Sequence, residues 1–237
     1  MTTKALHEIF TAKAGISSMD RHSISDMSSH FYALRQYGED CSLIHELGVR
    51  EIGSSWAFLV GLADRGNAMV TIAEDRRKLE MSPITALVSI DHVHPDKFGG
   101  EGTLAEFQKH AQENNIHHEF IESSSLDVNI ENSHCIFFDT DHTYSQLSQE
   151  LQLHGNKSNK YLLFHDTLGC AHEIVPAINE FLEEYPEWLV FDHSLEAQGM
   201  TSLARLSVED YNQMKEHQIK AREGENFKPQ CEDQTND

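Results

Sequence analysis

Residues 43–62 read LIHELGVREIGSSWAFLVGL: a short apolar run, a turn carrying Gly48 and Gly53, and an apolar segment of helical length. A strand that ends in a glycine turn and passes into a helix points backbone N–H groups at one spot, with the positive helix end behind them. The stretch therefore predicts a ligand seat in an α/β domain, although any strand–turn–helix of such a domain carries the same outline. A pyrophosphate-binding turn needs a third glycine between the other two, so that the backbone can approach the phosphates. Arg50 stands there instead. A nucleoside ligand without a pyrophosphate fits this turn better, and Glu46 at the strand end is placed to accept ribose or amino-group hydrogen bonds.

Four more apolar runs follow, each ending in polar residues. ITALVSIDHVHP predicts a buried strand that delivers Asp91, a carboxylate able to accept both hydroxyls of a ribose. In an open parallel sheet, ligands lie beyond the carboxyl ends of the strands. Glu74, which closes the apolar run MVTIA, is the rival for that role. HHEFIE runs into SSSLDV, HCIFFDTDHTY delivers Asp139, Asp141 and His142 together, and KYLLFHDT delivers His165 and Asp166. Between these runs lie predicted helices. One is capped by Ser54 or Ser55, and one opens at Thr103 with a capping box to Glu106. A third carries Ile174, Ile178, Phe181 and Leu182 on one face. Residues 66–82 form an insert, AEDRRKLEM within it predicting an exposed helix that Pro83 ends. WLVFDH and TSLARLS predict a terminal hairpin. For Asp139, Asp141 and His142 the plain alternative is a helix N-terminus, where Asp and Thr cap and His is incidental.

Composition narrows the partners. A chain of 237 residues with 39% hydrophobic content supports one sizeable core. The net charge of −21, from 39 acidic against 18 basic residues, argues against nucleic acid and against an anionic membrane surface, because both are bound through Lys and Arg. The cysteines at 41, 135, 170 and 231 form no CxxC pair, so neither a zinc framework nor a disulfide scaffold is indicated. The opening MTTKALHEIF has no basic-then-apolar pattern, and no apolar run reaches membrane-spanning length, which makes a cytoplasmic location the expectation. Met27, Phe31 and Leu34 recur at helical spacing, so residues 1–40 predict a helical segment docked on a domain at 41–208, either over the site's mouth or simply over the core. Residues 209–237 are polar and predict a disordered tail.

In this order ELGVREIGSSWAF, VSIDHVHP, ESSSLDV, FFDTDHTY and LLFHDT resemble the successive motifs of class I S-adenosylmethionine-dependent methyltransferases. The likeness is strongest to the subgroup of sugar and macrolide-glycoside O-methyltransferases and cephalosporin-hydroxylase-like proteins, and spans roughly residues 26–206. DxDH followed by HDT is its specific part. The resemblance implies a doubly wound, Rossmann-like seven-stranded sheet whose last strand is antiparallel. It also implies that Glu46, Gly48 and Gly53, with Ser54 beside them, cradle the methionine half of S-adenosyl-L-methionine, that Asp91 holds the ribose, and that Ser124 and Ser125 contact the adenine. Asp139, His165 and Asp166 fall on the positions of a divalent-metal set, and His142 on that of the general base, with Asp139 also catalytic. Relatives usually place two oxygen ligands after the fifth strand. His165 departs from that pattern, weakening the case for magnesium and leaving room for manganese or for no metal. The implied acceptor is a hydroxyl of a small molecule or glycan. A cofactor- or partner-binding protein without catalysis, or a nicotinamide-dependent oxidoreductase, remain as alternatives.

Overall fold

The computed structural model describes residues 6–9, 11, 26–75, 85–207, 209–210 and 213, with backbone alone at 26 and 67–75. Its strands are β1 (Leu43–Leu47), β2 (Ala86–Asp91), β3 (His117–Glu122), β4 (Ser133–Phe138), β5 (Ser158–His165), β6 (Trp188–Ser194) and β7 (Met200–Arg205). They form one seven-stranded sheet in the order β3-β2-β1-β4-β5-β7-β6. β1 to β5 are mutually parallel, and β7 runs antiparallel between β5 and β6. This is the expected architecture, last strand included.

The central strands read as unbroken apolar runs because both their faces are covered. Side-chain alternation divides them between two layers. Cys135, Phe137 and Leu163 pack with Phe31, Leu34, Trp56, Phe58 and Phe107 under helices α1 (Phe31–Asp40), α2 (Gly53–Asp75) and α4 (Thr103–Glu113). Ile136, Phe138, Leu162 and Phe164 pack with Leu151, Ile174, Phe181 and Trp188 under α5 (Tyr144–His154) and α6 (Ala171–Glu184). A short helix, α3 (Asp96–Gly99), interrupts the loop after β2.

The N-terminal segment docks because two helices meet backbone to backbone. A Cβ on Gly61 would come within 2.1 Å of the Arg35 carbonyl oxygen, and one on Gly38 within 2.8 Å of that of Phe58. Arg35 then locks the pair, its Nη2 lying 2.6 Å from Glu39 and 2.8 Å from Asp64.

Several local expectations change. α2 continues without a break to Asp75, so no separate insert begins at Gly66; the remainder of that insert, Pro83 and, apart from 209–210 and 213, the tail with Cys231 lie outside the described residues. Glu74 sits inside α2, about 30 Å along the helix from Gly53 at 1.5 Å per residue, and therefore closes no strand beside the turn. The capping box at Thr103 does not form. The N-cap is Gly102, and the carboxylate of Asp96 takes the orphan amides of Gly102 at 2.9 Å and Leu104 at 3.0 Å. Ser54 and Ser55 donate to Glu46 rather than capping α2. Among the described residues no helix is long and apolar enough to cross a membrane.

Candidate functional site

The turn between β1 and α2 is held from both sides. Gly48 N–H donates to the Ile90 carbonyl at 2.9 Å, and Asp139 N–H to that of Leu47 at 2.8 Å, which wedges the turn between β2 and β4. Gly48 has φ +86°, and a Cβ there would lie 2.0 Å from the Asp139 carbonyl oxygen. Arg50 (φ +46°) and Ile52 (φ +67°) are also left-handed. For a β-branched residue this is a strained conformation, tolerated because Ile52 is fully buried and its N–H bonds the Val49 carbonyl at 2.9 Å. Alternating left-handed residues cup successive amides into an anion-binding concavity. Asp91 fills it: its Oδ2 accepts from Val49 N–H at 2.8 Å and Arg50 N–H at 3.0 Å, while Oδ1 accepts from Val93 N–H at 2.9 Å. A pyrophosphate would have to expel this carboxylate.

Glu46 lies beneath the turn rather than in the site. It is completely buried, and its carboxyl accepts from Ser54, from Ser55 at 2.5 Å and from Ser89 at 3.0 Å. Burial outweighs these hydroxyls and pushes its pKa up to about 7. Glu46 and Ser54 thus brace the turn from below, and neither they nor Gly53 line the cavity above it.

That cavity, of about 670 Å³, opens at the carboxyl ends of β1 to β5. It brings together Gly48, Asp91, Ser124, Ser125, Asp139, His142, His165 and Asp166 from the sequence reading. It adds His92 and Thr140, which lay inside quoted motifs without a role, Arg50, read only as excluding a pyrophosphate, and Phe98, Gln146 and Gln198, which carried no legible motif. The Arg50 guanidinium stands 5.9 Å above the Phe98 ring at the rim. Ser124 and Ser125 are present but committed. Ser124 Oγ accepts from Leu126 N–H at 3.2 Å, and Ser125 Oγ donates to Glu150 at 2.5 Å. Glu150, buried on α5, also takes Thr140 Oγ1 at 2.8 Å and Gln146 Nε2 at 2.9 Å, which ties the loops after β3 and β4 to one helix. Burial raises its pKa. Gln146 and Glu150 stand four residues apart, a helical pair that the sequence does offer.

The reactive cluster follows from strand register. Phe138 pairs with Phe164, so the next positions, Asp139 and His165, lie side by side where the two strands end. Asp166, at φ +57°, turns back toward them. His165 Nδ1 is 3.1 Å from Asp139 Oδ1 and 2.8 Å from Asp166 Oδ2; His142 Nε2 is 3.4 Å from the former and 3.0 Å from the latter. Burial opposes charge on His165, but the hydrogen bonds to Asp139 and Asp166 and their charges prevail and lift its pKa to about 10. For His142 the Asp139 hydrogen bond is the main cause of an upward shift, against burial. Burial pushes Asp139 upward, yet the bonds from both imidazoles leave it below its ordinary value. The helix-cap alternative holds for Thr143, which caps α5 by accepting from Gln146 N–H, while Asp139 and His142 are engaged with His165 and Asp166 instead. Behind the cluster the His30 and His165 rings meet in a T-shaped contact with centroids 5.4 Å apart, so the N-terminal segment backs His165 while lining no part of the cavity.

Two carboxylates enclosing an imidazolium form a slot for positive charge. Asp139, His165 and Asp166 each offer one ligand atom, all within 4.8 Å of one another. With one nitrogen and two oxygens, the set fits a divalent ion and suits manganese better than magnesium.

In the metal-free protein the raised His165 pKa stabilises the fold on the acidic side. Its stabilising contribution is complete below the ordinary value of 6.5 and is lost as pH rises through about 10. The thermal midpoint is therefore expected to fall across that interval, and Asp139→Asn to flatten the fall. A midpoint that is level in wild type from neutral pH to about 10 would exclude this coupling.

No protein-family model and no curated protein matches the chain. Solved structures do. The chain is similar to cofactor-bound Rv0187 from MTB, at 11% identity and TM-score 0.53 over 85% of this chain and 89% of that one. It is also similar to the O-methyltransferase TomG from Streptomyces achromogenes, involved in tomaymycin synthesis and solved in complex with SAM, at 14% identity and TM-score 0.51 over 87% and 92%. The fold is that of class I S-adenosylmethionine-dependent methyltransferases.

Proposed function

We propose that the protein is an S-adenosylmethionine-dependent O-methyltransferase, metal-assisted, that methylates a hydroxyl of a sugar or glycoconjugate. The observation that carries this reading is the convergence of Asp139, His142, His165 and Asp166 on the cavity that also contains the Gly48 turn and Asp91. A seat for a nucleoside and a proton-accepting cluster share one chamber, as transfer from a bound donor to a bound hydroxyl requires.

Asp91 is the group on hand for the ribose. Its Oδ2 is saturated by two turn amides, so the hydroxyls must use the remaining lone pairs, and the amides in turn orient the carboxylate. Ser124 and Gln146, which line the same cavity, are the polar side chains this reading assigns to the adenine. S-adenosylmethionine would supply an electrophilic methyl group. A divalent ion on Asp139, His165 and Asp166 would meet their charge and, as a Lewis acid, lower the pKa of an acceptor hydroxyl. His142 carries the proton step. With both carboxylates unmet it is drawn toward imidazolium, and it becomes a base near neutral pH once their charge is compensated elsewhere. Asp141, His142 and Gln198 in the lining offer hydrogen bonds to an acceptor, which supports a polyhydroxyl one.

The test is a labelled-methyl transfer assay over sugars, glycosides, sugar nucleotides and small phenols, with and without a chelator. Transfer to a glycosidic hydroxyl that the chelator abolishes is the expected result. Stabilisation by NAD but not by S-adenosylmethionine in a thermal-shift screen would overturn the reading, since ligands of the native state raise its midpoint.

A further inference from the structure

The thiol of Cys170 has no part in that scheme and lines no part of the cavity, yet it faces the cluster from behind. Cys170 Sγ, a nitrogen of His142 and a carboxylate oxygen of Asp166 all lie within 4.8 Å of one another. We propose that His142, Asp166 and Cys170 form a second divalent-cation site, of the zinc class, which shares Asp166 with the Asp139–His165–Asp166 set.

Donor chemistry separates the two sets. Two oxygens and a nitrogen suit a harder ion, whereas nitrogen, oxygen and sulfur select a borderline-soft one, with water completing a tetrahedron. A neutral imidazole, a carboxylate and a thiolate balance the two positive charges of the ion. Binding forms a metal–sulfur bond and releases the thiol proton to solvent.

The backbone holds these donors in place. Cys170 N–H donates to the Asp166 carbonyl at 2.9 Å, and the Cys170 carbonyl accepts from Glu173 and Ile174 N–H at 3.0 Å each, so the residue is clamped between the β5 end and the first turn of α6. The intervening loop is fixed as well, with Leu168 and Gly169 N–H both on the Gln198 carbonyl, at 2.7 and 2.9 Å. Asp166 is positioned by its left-handed backbone, and His142 already lies 3.0 Å from its Oδ2. Little has to move before an ion is bound.

The two sets compete. An ion on the thiol side takes the nitrogen of His142 that would accept a proton, together with the carboxylate that the other set needs. Zinc on His142, Asp166 and Cys170 therefore acts as a block, and the identity of the available metal decides whether the site is competent or closed.

Cobalt(II) reads the site directly, because a thiolate ligand gives a strong near-ultraviolet sulfur-to-cobalt charge-transfer band that nitrogen and oxygen ligands do not. Chelator-treated full-length protein titrated with cobalt is expected to develop the band at one equivalent. Cys170→Ser should lose it, Cys231→Ser should keep it, and zinc should erase it by displacement. In competition with a chromophoric chelator, zinc affinity is expected to fall at least tenfold in Cys170→Ser and in His142→Ala, in the range typical of a lost ligand contact. Cys170→Ala serves if the serine variant does not reach the wild-type thermal midpoint. A wild-type protein without the band, or a band that survives Cys170→Ser, overturns the proposal. Neither measurement involves methyl transfer, so it fails or stands separately from the function proposed above.

Discussion

Asp139→Ala is expected to lower turnover by on the order of 10³-fold while leaving S-adenosylmethionine affinity within about tenfold of wild type, the size of loss seen when a base or charge-stabilising group is removed. Asp139 Oδ1 is the point on which both imidazoles converge, at 3.1 Å from His165 and 3.4 Å from His142. Without it the metal set loses a ligand, and His142 and His165 both lose the contact that raises their pKa. Turnover and affinity by calorimetry are the paired measurements, and the imidazole titration shows whether His165 has dropped from about 10 toward its ordinary value. Normal methylation by the variant would end the metal-and-base account. A parallel loss of affinity would instead move Asp139 into the cofactor seat.

The second large effect lies at Gly48. Gly48→Ala combines a left-handed backbone, φ +86°, with a Cβ placed 2.0 Å from the Asp139 carbonyl oxygen and 2.9 Å from the Thr140 nitrogen. Both neighbours are backbone at the end of a central strand, so neither can rotate away. The conformational penalty of about 1–2 kcal/mol and the overpacking penalty of about 1–3 kcal/mol add to a loss of roughly 2–5 kcal/mol, measurable by urea unfolding. Gly100 supplies the control. It has φ +91° and ψ 167°, a backbone essentially confined to glycine, with open space where a Cβ would go, so Gly100→Ala should show a conformational penalty alone, about 1–3 kcal/mol. If the two variants lose equally, the close approach at Asp139 is not what requires glycine at 48.

The sheet was legible because parallel strands covered on both faces leave a continuous apolar signature, and each run ended in polar residues where the strand ends. Asp91, Asp139, His165 and Asp166 were found for that reason, and β3 matched HHEFIE at both ends. What escaped was decided between elements distant in sequence. Glu46 looked like a ligand-binding carboxylate at a strand end, and only the folded chain brings Ser89 from the next strand against it. Thr103 and Glu106 had the spacing of a capping box, but Asp96 arrived from the preceding helix and took the amides first. Gln198 reaches the cavity on a loop and Phe98 on the four-residue α3, segments too short or irregular to carry a period. Cys170 was set aside because its partners lie 28 and 4 residues upstream, a spacing that no metal motif records.

The carboxylate of Asp91 in the amide cup of residues 49–50 has one more consequence. Many nucleotide-binding loops stay loose until an anion arrives to collect their N–H groups, and part of the ligand's affinity is then consumed in ordering them. Here the chain carries its own anion to the turn, so the seat is assembled before any guest appears. On the function proposed above, occupancy then depends on shape and on ribose hydroxyls rather than on phosphate. An abundant pool of nucleoside di- and triphosphates would compete poorly for it, and a sulfonium nucleoside could load quickly from a dilute one.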